Sequence, residues 1–398
     1  MIRFNRREWF RASGAVAACA VITSRVRAAA PRAKIEPPRI ISWQSDLYHG
    51  WPTLARRRNG QLLLAYSGGR EAHVCPFGRV ELMQSNDGGQ HWLWPRVLMD
   101  SAIDDRDAGV VETAKGSILV TTFTSLAYEP LLQKAEKDPA RFDKDSWPRP
   151  PRRLERWRAA HERLSDEERK SQLGVWMLRS TDGGVTWSAP YRCLVNSPHG
   201  PIQLSDGRLL YAGKALWETP PDGHHARVGV CESADDGVGW RWLAEIPPRP
   251  GDSTDQYHEL HAVEAANGRI VVQIRNHNKA NAGETLQCES SDGGKTWSVP
   301  RAIGVWGLPS HLLRLKDGRL LMTYGHRRAP LGNQARVSKD HGQTWSEPIV
   351  LSDDGVSSDL GYPSTAQLDD GTLVTVWYEA VKESPFAVLR QTRWTLEG

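Results

Sequence analysis

The chain has 398 residues with 35 glycines and 25 prolines, a length that could hold two or three ordinary domains and a turn content suited to an all-β protein. Its formal charge of +4 is no sign of a nucleic-acid partner, because residues 1–30 carry six arginines and one glutamate and their removal turns +4 into −1. No zinc motif, phosphate loop or nucleotide fingerprint is present, so no organic cofactor is expected and no metal ligand is assigned.

The first thirty residues read as an address. "NRREWFR", Asn5 to Arg11, has the twin-arginine pattern; a weakly apolar run from Ala12 to Thr23 and a small-residue cleavage site at Ala28-Ala29-Ala30 follow it. This predicts a periplasmic or secreted protein. The apolar run is too short to span a bilayer, so no stable membrane insertion is expected. Val16-Ala17-Ala18-Cys19 also fits a lipoprotein box, ranked second because so early a cut leaves little apolar segment.

From about residue 39 to the end two signals repeat. One is Ser-x-Asp-x-Gly-x-x-Trp, in five copies that start at Ser85, Ser180, Ser233, Ser290 and Ser338 and end at Trp92, Trp187, Trp240, Trp297 and Trp345. Its Asp bonds its own backbone, its Gly takes positive φ, and its Trp anchors the next strand. The other is a two-residue turn before an apolar strand, at Asn59-Gly60, Lys115-Gly116, Asp206-Gly207, Asn267-Gly268, Asp317-Gly318 and Asp370-Gly371. Six units of two hairpins each predict a six-bladed β-propeller over 39–398, the last blade closing on the strand Arg39 to Gln44.

The boxes are 95, 53, 57 and 48 residues apart. The long interval holds an insertion in blade 2, residues 124–173, read as one or two helices with a cap at Ser165. Its Arg149, Arg152, Arg153, Arg156 and Arg158 read first as a solvated face and second as a lure for an acidic glycan. Cys75, Cys193, Cys231 and Cys288 read as thiols of the blade cores, in a compartment that permits disulfides.

Strand parity locates the site. With strands A to D running outward from the axis, the Asp-Gly turns (A to B) and the boxes (C to D) share one face. The other face receives the lead-in to each A strand and the exit from each B strand. The lead-ins are "YHGWP", "DDRDAG", "SPHGP", "YHELH", "LPSH" and "LGYPS", and the exits include Gly69 to His73, Arg275 to His277 and Gly325 to Arg328. Arginines, carboxylates, histidines and a tyrosine thus converge on one concavity. Grouped arginines suit a carboxylate or sulfate on the substrate.

The boxes, the six units and two motifs resemble the sialidase superfamily, also called BNR-repeat or Asp-box proteins. "ELHAVEAANGRIVVQIRN" is similar to its fourth blade, and "GYPSTAQLDDGTLVTVWYE" to its last. The resemblance implies Tyr362 as nucleophile, Glu259 as the carboxylate that activates it, and Arg275 with Arg327 or Arg328 as contacts to an acidic group. A phenol suits an anionic sugar, which would repel a carboxylate nucleophile. The chain departs from the family pattern where an opening Arg-Ile-Pro reads Gly50-Trp51-Pro52, and where "EAHVCPFGRVELMQ" holds no acid/base aspartate. Glu71, His73, Asp105 or Asp107 stand as the acid, with Arg70, Arg106, His261 and His311 as further substrate contacts. The expected function is retaining exo-hydrolysis of a terminal acidic sugar from an oligosaccharide or glycoconjugate. The alternatives are a uronate lyase or histidine-dependent glycosidase using His49 or His261, and a non-catalytic glycan-binding propeller.

Overall fold

A computed structural model of the chain describes residues 29–42, 44, 46–144, 152–216 and 227–397; the twin-arginine pattern, Cys19 and Arg149 lie outside them. Six antiparallel sheets follow one another along the chain as the blades of a propeller. Blade 1 comprises Tyr48–Arg56, Leu62–Arg70, Arg79–Ser85 and Arg96–Met99 as strands A to D. The A strands of blades 2 to 6 are Asp104–Glu112, Ile202–Gln203, Tyr257–Glu264, Ser310–Arg314 and Leu360–Gln367. In blade 6 the third strand, Ser384–Leu396, pairs with Arg39–Ser42 and also with Ala33–Ile35, so the closing segment starts earlier than the repeats announce.

The boxes explain why the ring holds. In the fourth copy Ser290 donates to Asp292 (2.8 Å), Asp292 accepts from the Thr296 amide (2.9 Å), and Gly294, at φ 90°, donates its amide to Ser290 (2.9 Å). The motif satisfies its own polar groups; Trp240 and Trp297 donate back to the glycine carbonyl of their own boxes, while two other tryptophans reach the neighbouring blade. Trp345 of blade 5 donates to Gln287 of blade 4 (3.0 Å), and Trp92 of blade 1 to Gln391 of blade 6 (2.8 Å). The apolar clusters likewise form between neighbouring blades: Leu63, Ala65 and Val80 of blade 1 pack with Ala108, Val110 and Ile118 of blade 2. Burial at these seams is the main stabilising term.

The insertion joins strands B and C of blade 2 and carries helices α1 (Glu129–Lys137), α2 (Pro139–Lys144), α3 (Arg153–Glu162) and α4 (Asp166–Ser171). Ser165 and Glu168 form a capping box at the start of α4. The solvated-face reading holds for Arg152 and Arg158 and fails for Arg153. Arg153 is buried against Phe142 and Trp157, Arg153 and Arg156 pair with Glu71, and Arg158 pairs with Glu136. Cys75, Cys193, Cys231 and Cys288 are buried free thiols.

Candidate active site

Four A strands break register as they begin: between Gly50 and Thr53, Arg106 and Gly109, Tyr257 and Leu260, and Gly361 and Ser364. A bulge adds a residue and re-aims a side chain. Trp51, Asp107 and Tyr362 sit in these bulges at φ of 52°, 46° and 51°, and the blade 4 bulge carries Glu259. Non-glycine residues in that region are strained, and such strain gathers at functional sites. The same local device in four blades thus assembles one centre.

At that centre the Tyr362 hydroxyl donates to Glu259 Oε1 at 2.5 Å, and Arg275 Nη1 reaches the same oxygen at 2.9 Å and the Tyr362 oxygen at 3.2 Å. Burial pushes the Glu259 carboxyl up, but the Arg275 guanidinium and the Tyr362 hydroxyl outweigh it and hold the pKa at about 2. Burial, then the Glu259 charge, push the Tyr362 phenol well up. Glu259 is therefore an ionised acceptor set against a phenol that keeps its proton until something takes it. Arg275 Nε donates to His277 Nε2 (2.8 Å), which fixes the guanidinium plane. Arg327 donates to the Leu360 carbonyl (3.0 Å), with its guanidinium carbon 5.9 Å from the Tyr362 ring centre.

Asp107 is 7% exposed, and burial pushes its pKa up to about 7, with Arg106 opposing the rise and Glu259 adding to it. It is a carboxyl poised to give or take a proton near neutral pH. Trp51, from the blade 1 bulge, carries two guanidinium groups over its ring: the guanidinium carbons of Arg70 and Arg106 lie 4.8 and 4.6 Å from its centre. At the rim, Asp359 accepts from Tyr48 (3.0 Å) and Tyr378 (2.9 Å), and its Oδ1 is 2.9 Å from His73 Nδ1.

The structure thus brings Tyr362, Glu259, Arg275, Arg327, Asp107 and Arg106 together, with His73 at the edge. Other expected residues lie elsewhere. Arg70 is fully buried in a bidentate pair with Asp104 (2.6 and 3.0 Å) and shows no face to a substrate. Glu71 is held under the insertion by Trp157 Nε1 (3.1 Å) and the α3 arginines. Asp105 accepts from the Ser101 amide (2.7 Å), and His49 is buried against Ser42 (3.2 Å) and Tyr66. His49 and Asp105 each stand one bulge away from the residues that face the centre, Trp51 and Asp107. His261 and His311 stack with ring centres 4.6 Å apart, with His199 within 5.2 Å of both, and form a buried plug near Tyr362. Burial pushes all three imidazoles down, so they are neutral. Sequence reasoning missed Asp359 and gave no role to Tyr378, or to Tyr48 and His277, although the lead-in and the exit that carry the last two were expected on this face. Asp359 stands one residue before the "LGYPS" lead-in, and His277 two residues after Arg275 in the same exit.

Fold and centre together define a sialidase-type propeller: Asp boxes, six blades, and a tyrosine, carboxylate and arginine at the axis. The chain belongs to the BNR repeat-like domain family, whose profile matches residues 160–375. It is similar to a sialidase of Bacteroides fragilis, 23% identical over 85% of this chain and 61% of that protein. It is also similar to a sialidase of Micromonospora viridifaciens, 26% identical over 45% of this chain and 32% of that protein. The chain thus spans about three fifths and about a third of these two relatives. Among solved structures, a protein of unknown function from Dyadobacter fermentans matches 92% of this chain and 99% of its own at 22% identity, with a TM-score of 0.72. The NanB sialidase from Streptococcus pneumoniae matches 91% of this chain and 71% of its own at 14% identity, with a TM-score of 0.62. These structural likenesses share the fold.

Proposed function

We propose that the protein is an exo-glycosidase that removes a terminal acidic sugar from an oligosaccharide or glycoconjugate with retention of configuration. The observation that carries this reading is the 2.5 Å bond from Tyr362 to a Glu259 that Arg275 keeps ionised. Glu259 takes the phenol proton as the Tyr362 oxygen attacks the anomeric carbon. The glycosidic C–O bond breaks, and Asp107 gives its proton to the leaving oxygen. Water then attacks the tyrosyl glycoside, Asp107 takes a proton from that water, and Glu259 returns one to the phenol oxygen. Each step pairs a proton donor with an acceptor. Arg275, Arg327 and Arg106 supply the positive field for the sugar's acidic group. The paired His73 and Asp359, more open to solvent, support a second reading of the acid. The twin-arginine pattern supports export, so the glycan is met outside the cytoplasm; cell fractionation of a variant with both Arg6 and Arg7 replaced by Lys tests this.

The decisive experiment offers a fluorogenic α-sialoside beside uronate- and rhamnose-containing oligosaccharides, recording released sugar and unsaturated-uronate absorbance. A fluorinated slow substrate is then used to trap the intermediate for mass spectrometry. Label on the peptide that contains Tyr362 is expected. Turnover that survives Tyr362→Phe, or unsaturated products, would overturn the reading; binding without turnover would make the protein a lectin-like propeller.

A further inference from the structure

Strand B of blade 5 (Leu320–His326) runs into three consecutive basic residues, His326, Arg327 and Arg328. Successive residues of an extended chain project to opposite sides. Arg327 turns toward Tyr362, while His326 and Arg328 line a different cavity of about 190 Å³ with Trp306, Tyr324, Gln334 and Arg336. That volume matches roughly six waters at ~30 Å³ each, and falls below the ~300 Å³ at which pockets for drug-sized ligands begin. One sugar ring fits it and an oligosaccharide does not.

The walls define the chemistry. Trp306 is 37% exposed, high for a tryptophan, and the Arg328 guanidinium carbon lies 4.9 Å from its ring centre. Arg336, only 6% exposed, donates Nε to the Tyr324 oxygen (2.9 Å), and the Tyr324 hydroxyl donates to Gln334 (2.8 Å). This chain of bonds fixes a guanidinium and an amide at the back of the cavity. Among the described residues, two guanidinium groups and an imidazole line it, and no carboxylate does. An indole takes the C–H face of a pyranose, and guanidinium groups take a carboxylate or sulfate.

We propose that this cavity is a second saccharide subsite, for one anionic sugar unit, separate from the Tyr362 centre. The inference does not depend on the hydrolytic reading. Isothermal titration calorimetry with a glucuronate-containing disaccharide, and separately with inorganic sulfate, tests it. Disaccharide affinity is expected to survive Tyr362→Phe and Arg275→Ala, to fall at least about tenfold in Trp306→Ala and Arg328→Ala, and to return in part with Arg328→Lys. Sulfate, which has no ring to stack, is expected to respond to Arg328→Ala and not to Trp306→Ala. Both residues lie at the cavity mouth, and thermal melts check that the variants fold. Binding lost with Arg275→Ala yet untouched by Trp306→Ala would assign the sugar to the central pocket and overturn the proposal, as would no disaccharide binding at millimolar concentration.

Discussion

Replacing Asp107 by Asn probes the electrostatics of the centre through stability and turnover together. Burial pushes the Asp107 carboxyl up to about 7, against ~3.9 for an exposed aspartate. The folded protein therefore holds this proton more tightly than the unfolded chain does. Asp107 leaves stability intact below the unfolded pKa, near 4, and weakens it as pH rises through about 7. At 1.36 kcal/mol per pH unit the whole difference is about 4 kcal/mol. Asn keeps the shape, tolerates the backbone at φ 46° as Asp does, and carries no charge. The variant is expected to match the parent at pH 4 and to exceed it by up to about 4 kcal/mol at pH 8, a rise in melting midpoint of roughly 5 °C. The same change removes the proton donor, so kcat should fall about 10²–10⁴-fold. Denaturant unfolding at pH 4, 6 and 8 and turnover of a fluorogenic glycoside read both effects. A variant no more stable than the parent at pH 8, or one with unaltered turnover, would refute the reasoning.

Glu259→Gln should lower kcat about 10²–10⁴-fold by removing the base, while Tyr362→Phe should abolish turnover and retain substrate binding, measured by steady-state kinetics and calorimetry. Because Glu259 is ionised above about 2 and Asp107 titrates at about 7, kcat/KM should be level from pH 4 to 6 and decline above about 7; a decline that persists in Asp107→Asn would take the acid role away from Asp107. Asp104→Asn leaves the fully buried Arg70 without its anion and should destabilise the fold by about 3–5 kcal/mol in denaturant titration. Glu71→Ala should loosen the insertion, seen as faster proteolytic cleavage within residues 127–172, with turnover of a small glycoside largely retained.

The six blades were legible because their signals are local. An Asp-Gly turn or a Ser-x-Asp-x-Gly-x-x-Trp box specifies its hairpin within a few residues, whatever the rest of the chain does. Tyr362, Glu259 and Arg275 were legible through two motifs of fixed spacing. What failed was parity across the bulges. The step at Gly50 turns Trp51 inward and leaves His49 against Ser42, and the step after Arg106 does the same for Asp107 against Asp105. Bulges of this kind carry no sequence mark beyond the strain they impose. Glu71 and Arg70 were lost to partners that no local pattern announces: Trp157 from the insertion, and Asp104 from the next blade.

Ring closure bears on how the protein comes into being. The strand Ser384–Leu396 is fastened by Ala33–Ile35 and Arg39–Ser42, segments from opposite ends of the described chain. Loop-closure entropy grows only as the logarithm of length, about 0.6 kcal/mol per doubling, so so distant a fastening is thermodynamically mild. In time, however, it comes last, since synthesis delivers blade 6 after all the others. The seam it completes holds Tyr48 and Trp51 from the first blade together with Tyr362 and Tyr378 from the last. A nascent chain therefore carries most of the ring with no Tyr362 beside its Trp51 indole. On the proposed reading, closure of the ring and completion of the centre are the same step, so truncated or half-made copies are expected to be inert rather than partly active.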